Sequence, residues 1–261
     1  MAELCLKVLD GNYKTLAVSR GEGEACIVFS QEYKEGDMIL FEASQQGTHI
    51  WLQLDDALGK SLVYVTGMAA YQIPFGNKRI NLSPKAFSGT KHLICAREAK
   101  DYEVAAYRNL AVNVCDQSEA RNIFPHAQAN VETRGEAVFA AQNAIDGVTV
   151  TSCHGEWPYG SWGINKQDDA EIKIDFGREV EADRIIMYTR ADFPHDNWWK
   201  QVSFSFSDGS SFEWELQKKD NPHEIVFEQK RISWLKLHDM KKSDEPSQFP
   251  ALTQIEVYGR M

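Results

Sequence analysis

Strict period-two alternation of apolar and polar residues dominates the second half of this 261-residue chain. In Ala170–Phe176 the apolar positions are 170, 172, 174 and 176, and in Phe212–Leu216 two glutamates separate Phe212, Trp214 and Leu216. Successive side chains of a β-strand point to opposite faces of the sheet, so this period gives each strand one apolar and one polar face. Such strands are typical of an antiparallel sandwich that has one face in the core and the other in water.

The first half also consists of short apolar or alternating runs, separated by turn residues. The turn signals recur about every 8–12 residues, which is typical of sandwiches and barrels. Hydrophobic residues make up 43% of the sequence, enough to build cores for such sheets. The predicted strands are Leu4–Leu9, Leu16–Ser19, Ala25–Phe29, Met38–Phe41, Ile50–Leu54, Leu62–Thr66, His92–Ala96, Val104–Val114, Ala170–Phe176, Ile185–Thr189, Val202–Phe206 and Phe212–Leu216, with a hairpin at Asp208-Gly209.

A polar stretch near Asp116–Asn122 follows the last apolar run of the first half and precedes a new register of strands and turns. We therefore predict an all-β chain with two β-sandwich, jelly-roll-like domains in tandem. Residues 1–115 form the first domain, whose role the sequence does not indicate, residues 116–121 form a linker, and residues 122–261 form the second domain.

Charge and cysteine usage exclude several classes of function. The formal net charge is −10, which argues against nucleic-acid partners because these need a positive surface. Apolar runs fall far short of the roughly 18 residues of a membrane span, so no membrane insertion is expected. Met1–Cys5 has no basic region of a secretory signal, which predicts a cytoplasmic or mature secreted protein. The five cysteines are widely spaced without a CxxC pair, which favours buried free thiols over a zinc site.

Four stretches of the second half resemble, in order, motifs of discoidin-type domains. This coagulation-factor C-type, galactose-binding-like fold is shared by many bacterial carbohydrate-binding modules. The stretches are Asn122, Ala141–Gly147 with the downstream Thr151, Ala170–Gly177 and Leu252–Gly259. The resemblance covers residues 122–261 and departs from the family at Cys153, where a tryptophan is frequent. It implies a jelly roll that binds sugar, as lectins do, without catalysis.

The resemblance also implies a structural calcium ion. In the related modules this ion lies in the aspartate–glycine turn, and the glutamate of the closing strand completes its set of ligands. Asp146 and Glu256 match those positions, and Thr151 would supply a further oxygen. Calcium takes six to eight oxygen ligands, many of which a turn supplies from its backbone. The ion would stiffen loops and would take no part in chemistry.

Two loops carry the candidate ligand-binding residues. His154–Trp162 holds Trp157, Tyr159 and Trp162 among glycines and a proline, so it cannot be a regular strand. Aromatic rings stack on the flat C–H face of a sugar. The alternative is that these rings plug the end of the core.

The second loop, Arg190–Lys200, lies between two predicted strands and combines a guanidinium, an imidazole, a carboxylate and an amide, which can read sugar hydroxyls. One of its two adjacent tryptophans should face the core and the other solvent, because neighbouring residues of a strand point oppositely. The alternative is a solvated loop with a core anchor. The residues predicted to bind ligand are Trp157, Tyr159, Trp162, Arg190, His195, Asp196, Asn197 and Trp198.

Two other classes of function remain open at this point. A polysaccharide lyase could use His154, Tyr159, Arg190 and His195, and a glycoside hydrolase needs two carboxylates roughly 5–10 Å apart, for which the sequence offers no evident pair. In an adhesion module for protein or lipid partners, we would expect apolar loop tips without polar residues beside them. The mixture of aromatic and polar residues favours a non-catalytic carbohydrate-binding protein.

Overall fold

The computed structural model describes residues 1–152, 155 and 157–261, and these form three antiparallel sheets, which confirms the all-β fold class. One short helix, α1, spans Asp101–Val104. The strands are β1 Glu3–Leu9, β2 Thr15–Glu22, β3 Glu24–Phe29, β4 Met38–Ala43, β5 Thr48–Gln53, β6 Ser61–Val65, β7 Ala69–Gln72, β8 His92–Glu98, β9 Arg108–Asn109, β10 Ile123–Phe124, β11 His126–Ala129, β12 Trp162–Gly163, β13 Ile172–Thr189, β14 Trp199–Phe206, β15 Ser211–Glu215, β16 His223–Lys242 and β17 Ala251–Arg260.

Two sheets build the first half. Their strand orders are β2-β1-β4-β7 and β10-β6-β5-β8-β3. Leu4 and Leu6 from one sheet and Ile50 and Leu52 from the other are fully buried in a single core. Full burial of one such side chain stabilises a fold by about 1.5–3 kcal/mol. The alternation that predicted these strands is therefore the alternation of core and solvent.

The second half is one eight-stranded sheet with the order β12-β17-β13-β16-β14-β15, to which β11 adds on β13 and β9 on β17. The long strands β13 and β16 change partners along their length. The register of β13 on β16 shifts between Asp175 and Val180. Gly177 lies within this shift at φ +68°, and a Cβ there would lie 2.3 Å from the ring of Phe124. Only glycine fits this position without strain.

The two halves exchange short strands around the predicted linker. Strand β9, before it, pairs with β17 of the second half, and β10, after it, pairs with β6 of the first half. Asp116, in the predicted linker, is buried and accepts a hydrogen bond from the backbone N–H of Ala127. The division into two domains stays a prediction, and strand exchange joins the two sets of sheets across it.

Two local predictions were wrong. Val104–Val114 is not a strand, because α1 ends at Val104 and only the two residues of β9 pair with a sheet. Cys26 and Cys95 are not free thiols, because they lie directly opposite each other on β3 and β8 and form a disulfide. Cys5 and Cys115 are buried and free, and Cys153 lies outside the described residues. Among the described residues, none of the helices is long and apolar enough to cross a membrane.

Candidate functional site

Three loops meet at one end of the eight-stranded sheet. They are residues 190–198 between β13 and β14, residues 243–250 between β16 and β17, and the described residues 157–161 before β12. The first two are tied together because Asn197 Nδ2 donates to the carbonyl of Ser247 over 2.6 Å, and Ser247 Oγ donates to the carbonyl of His195 over 2.5 Å. The strands thus fix the ends of the 190–198 and 243–250 loops, and the cross-links fix the middles of these two loops.

A buried ion pair lies at the centre of this end. Arg190 donates from Nε to Asp196 Oδ1 over 2.8 Å, and its Nη2 lies 2.6 Å from the same oxygen. The guanidinium carbon lies 5.0 Å from the ring centroid of Tyr159 and 5.8 Å from that of Phe139. A cation over aromatic faces is stabilised by the ring quadrupole. The pair therefore holds the 190–198 loop against the loop that carries Tyr159.

An exposed pair of rings lies beside the ion pair. His195 stacks on Phe249 with centroids 5.8 Å apart and an angle of 26° between the planes. His195 Nδ1 lies 3.2 Å from Asp196 Oδ1, which couples the ring to the buried pair. Lys166 Nζ lies 4.9 Å from the centroid of Phe249. The Phe249 side chain is 43% exposed, so this stack presents an aromatic face and cationic groups to solvent.

The loop before β12 adds one exposed and one buried ring. Trp157 is 38% exposed, whereas Tyr159 is buried and meets Phe139 edge to face at 6.2 Å. Burial raises the pKa of Tyr159 to about 12, against the lowering effect of Arg190. Ser152 N donates to the carbonyl of Pro158 over 3.0 Å and closes the loop. His154 lies outside the described residues. We name the surface formed by Trp157, Tyr159, Lys166, Arg190, His195 and Phe249 the aromatic rim.

Of the predicted ligand contacts, Tyr159, Arg190 and Asp196 are buried, and three others also stabilise the fold. Trp162 is fully buried in the core and donates from Nε1 to the carbonyl of Val131, so its ring has no face for a ligand. Asn197 is buried, and its side-chain amide is hydrogen-bonded to the 243–250 loop. Trp198 is half-buried and donates from Nε1 to Glu245 Oε1 over 3.1 Å. Its neighbour Trp199 is buried, as the alternation of strand residues requires.

The sequence interpretation missed Phe139, Lys166 and Phe249. Phe249 stands before a proline in a polar stretch that precedes the last strand. An apolar ring in such a stretch is the one signal that the sequence offered for it. Phe139 and Lys166 carry no signal of their own, because their role depends on which loops meet.

The residues predicted to bind calcium have other contacts in this structure. Asp146 Oδ1 accepts the N–H of Val148, and the side chain of β17 that contacts the turn is Gln254, whose Oε1 accepts the N–H of Gly147 over 3.1 Å. Glu256, two residues further along β17, is hydrogen-bonded to Tyr258. Thr151 is exposed. Calcium binding by these three residues stays a prediction, on which no step below depends.

A separate acidic cluster lies in the first half. Asp55, Asp56 and His92 are the only group of three or more potential His, Cys, Asp or Glu ligands that cluster in the described part of the chain. His92 Nδ1 lies 2.9 Å from Asp55 Oδ2, and His92 Nε2 lies 3.1 Å from the carbonyl of Gly89. Both ring nitrogens already have protein partners. The cluster therefore fits a buried structural hydrogen-bond network.

No family model and no curated protein matches the chain. Solved structures similar to it include chitosan-binding module 1 of a chitosanase/glucanase from Paenibacillus sp. IK-5, with 18% identity over 58% of this chain and 98% of that one and a TM-score of 0.40. A fucose-binding module from Streptococcus pneumoniae has 14% identity over 59% and 98%, with a TM-score of 0.41. A family 32 carbohydrate-binding module from C. perfringens, in complex with galactose, has 15% identity over 51% and 91%, with a TM-score of 0.39. These neighbours are carbohydrate-binding modules, which have the galactose-binding-like fold.

Proposed function

We propose that the aromatic rim binds carbohydrate without catalysis. The observation that carries the proposal is the exposed stack of His195 on Phe249, coupled through Asp196 to the buried guanidinium of Arg190. An aromatic face matches the C–H face of a sugar ring, and the adjacent nitrogen donors match its hydroxyls. Because Asp196 and the surrounding rings hold these groups in place, little side-chain freedom is lost on binding.

We further assign the exposed Trp157, two residues before Tyr159, to this site. Its loop is closed by the bond between Ser152 and Pro158, and Tyr159 of that loop packs on Arg190. A second ring on the rim gives a sugar chain a further residue on which to stack. We therefore assign Phe249 and Trp157 to stacking, His195 and Lys166 to hydroxyl contacts, and Tyr159, Arg190 and Asp196 to positioning.

The protonation chemistry of the rim favours binding over catalysis. An efficient general base has a pKa near the working pH, whereas burial raises the pKa of Tyr159 to about 12. Asp196 is buried, and its oxygens accept hydrogen bonds from Arg190 and from the N–H of Asp192. This carboxylate therefore stabilises the loop. A lyase or hydrolase that acts through these two residues is less consistent with the rim than a binding site is.

A glycan array followed by calorimetric titration tests the proposal. The first sugars to titrate are galactose, fucose and chitotriose, which the names of the similar modules supply as probes. Phe249→Ala and Trp157→Ala should each weaken binding about 10-fold or more, since loss of a stacked ring costs on the order of 1.4 kcal/mol. Tyr13→Ala, at a residue that is 74% exposed far along the chain from the rim, is the matched control.

Two results would overturn the proposal. One is a wild-type protein that binds none of the sugars on the array or in solution. The other is binding that Phe249→Ala and Trp157→Ala reduce no more than Tyr13→Ala does. Release of an unsaturated or reducing product from any bound sugar would replace the binding role with an enzymatic one.

A further inference from the structure

A cluster of two arginines and a histidine lies where β5 and β6 approach β9 and β13. Its members are Arg108 on β9, Arg178 on β13 and His49 on β5, with Tyr64 and Met261 beside them. Within the described residues neither arginine forms an ion pair. Buried charges in proteins are normally paired, so this arrangement requires an explanation.

Both guanidiniums converge on one weak acceptor. Arg108 Nη2 lies 3.3 Å from Met261 Sδ, and Arg178 Nη2 donates to the same sulfur. Their other hydrogen bonds go to the backbone carbonyls of Glu103 and Phe176. A thioether is a weak acceptor, and it carries no charge to offset two cations. The two donors therefore point to a position where an oxyanion would be a much stronger partner.

Further donors surround that position without protein partners of their own. Arg178 Nε and His49 Nε2 are buried and have no hydrogen-bond partner in the described part of the chain. The guanidinium carbon of Arg178 lies 4.8 Å from the centroid of Tyr64, whose ring lies 5.1 Å from that of His49. Burial and the two arginines lower the pKa of His49 to about 4. The imidazole is thus neutral at pH 7 and can donate one N–H.

An open cavity of about 330 Å³ borders the cluster through His49 and Met261, while neither arginine lines it. His49 and Met261 line it together with Thr48, Ala99 and Val104, and this volume lies within the range of small-molecule sites. Two acids also line it. Glu98 accepts the N–H of Ala2, and Asp101 is exposed. The nearby Glu103 carboxylate is held by Arg97, and its charge opposes the lowering of the Arg108 pKa by burial.

We propose that Arg108, Arg178 and His49 form a binding site for an oxyanion, a carboxylate or phosphate group of a small ligand that enters through this cavity and displaces the Met261 thioether. Charge-assisted hydrogen bonds from two guanidiniums to one oxyanion are roughly twice as strong as neutral ones. The site shares no residue with the aromatic rim. It would be filled or empty independently of sugar binding.

Thermal unfolding at constant ionic strength tests the site, with inorganic phosphate, glucose 6-phosphate and glucuronate each compared against sodium chloride. We expect at least one of the three to raise the wild-type Tm, with saturation that calorimetry confirms. Response to the two phosphates alone identifies a phosphoryl ligand, and response to glucuronate alone identifies a carboxylate. Phe249→Ala should keep the whole response, which separates this site from the rim.

Variants at Met261 test the geometry without removing an arginine. Met261→Glu places a carboxylate on the chain at the site, so it should raise the Tm by about 2–4 °C without added anion and abolish the response to phosphate. Met261→Leu keeps the shape without the sulfur and should keep the response. Arg178→Gln should weaken anion binding at least 10-fold, whereas Arg231→Gln, at an exposed arginine, should not change it.

Two outcomes would overturn the proposal. The first is a wild-type Tm that none of the three anions changes beyond the effect of sodium chloride. The second is a Met261→Glu protein that responds to the anions as Met261→Leu does. Both outcomes are measured on the wild type and the Met261 variants, so they test the proposal even if Arg178→Gln does not fold.

Discussion

Removal of the Asp196 carboxylate should cost far more stability than removal of any exposed carboxylate in this protein. The side chains of Asp196 and Arg190 are 0% and 4% exposed. Asp196→Ala leaves a buried guanidinium between two rings without a counter-ion and frees the N–H of Asp192. Loss of one partner of a buried pair costs about 3–5 kcal/mol. At about 2–4 °C per kcal/mol, the Tm should fall by about 6–20 °C.

Urea unfolding of three variants measures this effect. Asp196→Ala should shift the midpoint strongly with little change in the m-value. The double variant Arg190→Met with Asp196→Leu should be more stable than Asp196→Ala, because it leaves no buried charge unpaired. Glu181→Ala breaks an exposed pair with Arg231, whose N···O distance is 3.2 Å, and should cost no more than about 1 kcal/mol. Equal losses in Asp196→Ala and Glu181→Ala, or in Asp196→Ala and the double variant, would refute the reasoning.

Three further predictions concern a turn, a histidine and a glycine. Gln254→Glu places a second carboxylate at the Asp146 turn, so the Tm of this variant should be lower in EDTA and should rise again in calcium chloride. The wild-type Tm should change in neither solution. A rise of the wild-type Tm in calcium chloride would instead support the calcium prediction. Burial lowers the pKa of His223 to about 4 from an ordinary 6.5. The unfolded chain then binds the extra proton first, so stability is lost as the pH falls from 6.5 towards 4, and His223→Gln should flatten this loss in urea titrations at several pH values. Gly177→Ala should cost more than Gly209→Ala, since both have positive φ but only the first would place a Cβ 2.3 Å from a ring carbon; equal midpoints in urea would contradict the steric explanation.

The strands were readable from the sequence wherever one face is core and the other is solvent. Val202, Phe204 and Phe206 of β14 are fully buried, which is the reason for their period of two. The Asp208-Gly209 hairpin was readable for a second local reason, because Gly209 adopts φ +83°, which glycine tolerates. Patterns of this kind depend only on neighbours along the chain.

Features that depend on partners distant in the chain were not readable. β13 runs through Gly177 as one bent strand, although its pattern predicted two shorter ones. The Cys26–Cys95 disulfide joins residues 69 positions apart, and only the register of β3 on β8 places them opposite each other. The strand predicted over Val104–Val114 failed because most of that run packs between the two sets of sheets and pairs with neither, apart from β9.

The same reasoning explains why four of the six residues of the aromatic rim were found from the sequence and two were not. Arg190 and His195 stand in one polar loop with Asp196, so a local pattern revealed them. Phe249 reaches His195 only because the N–H of Arg190 bonds to the carbonyl of Ala251 and thereby sets the two loops side by side. The pair of Arg108 and Arg178 is the extreme case, since neither arginine belongs to a local pattern that marks a site. Their juxtaposition arises when β9 joins β17 and β17 joins β13. Strand pairing between the halves of the chain is thus the physical origin of the oxyanion site, and a variant that disrupts the β9–β17 pairing should lose anion binding while the rim keeps its stack.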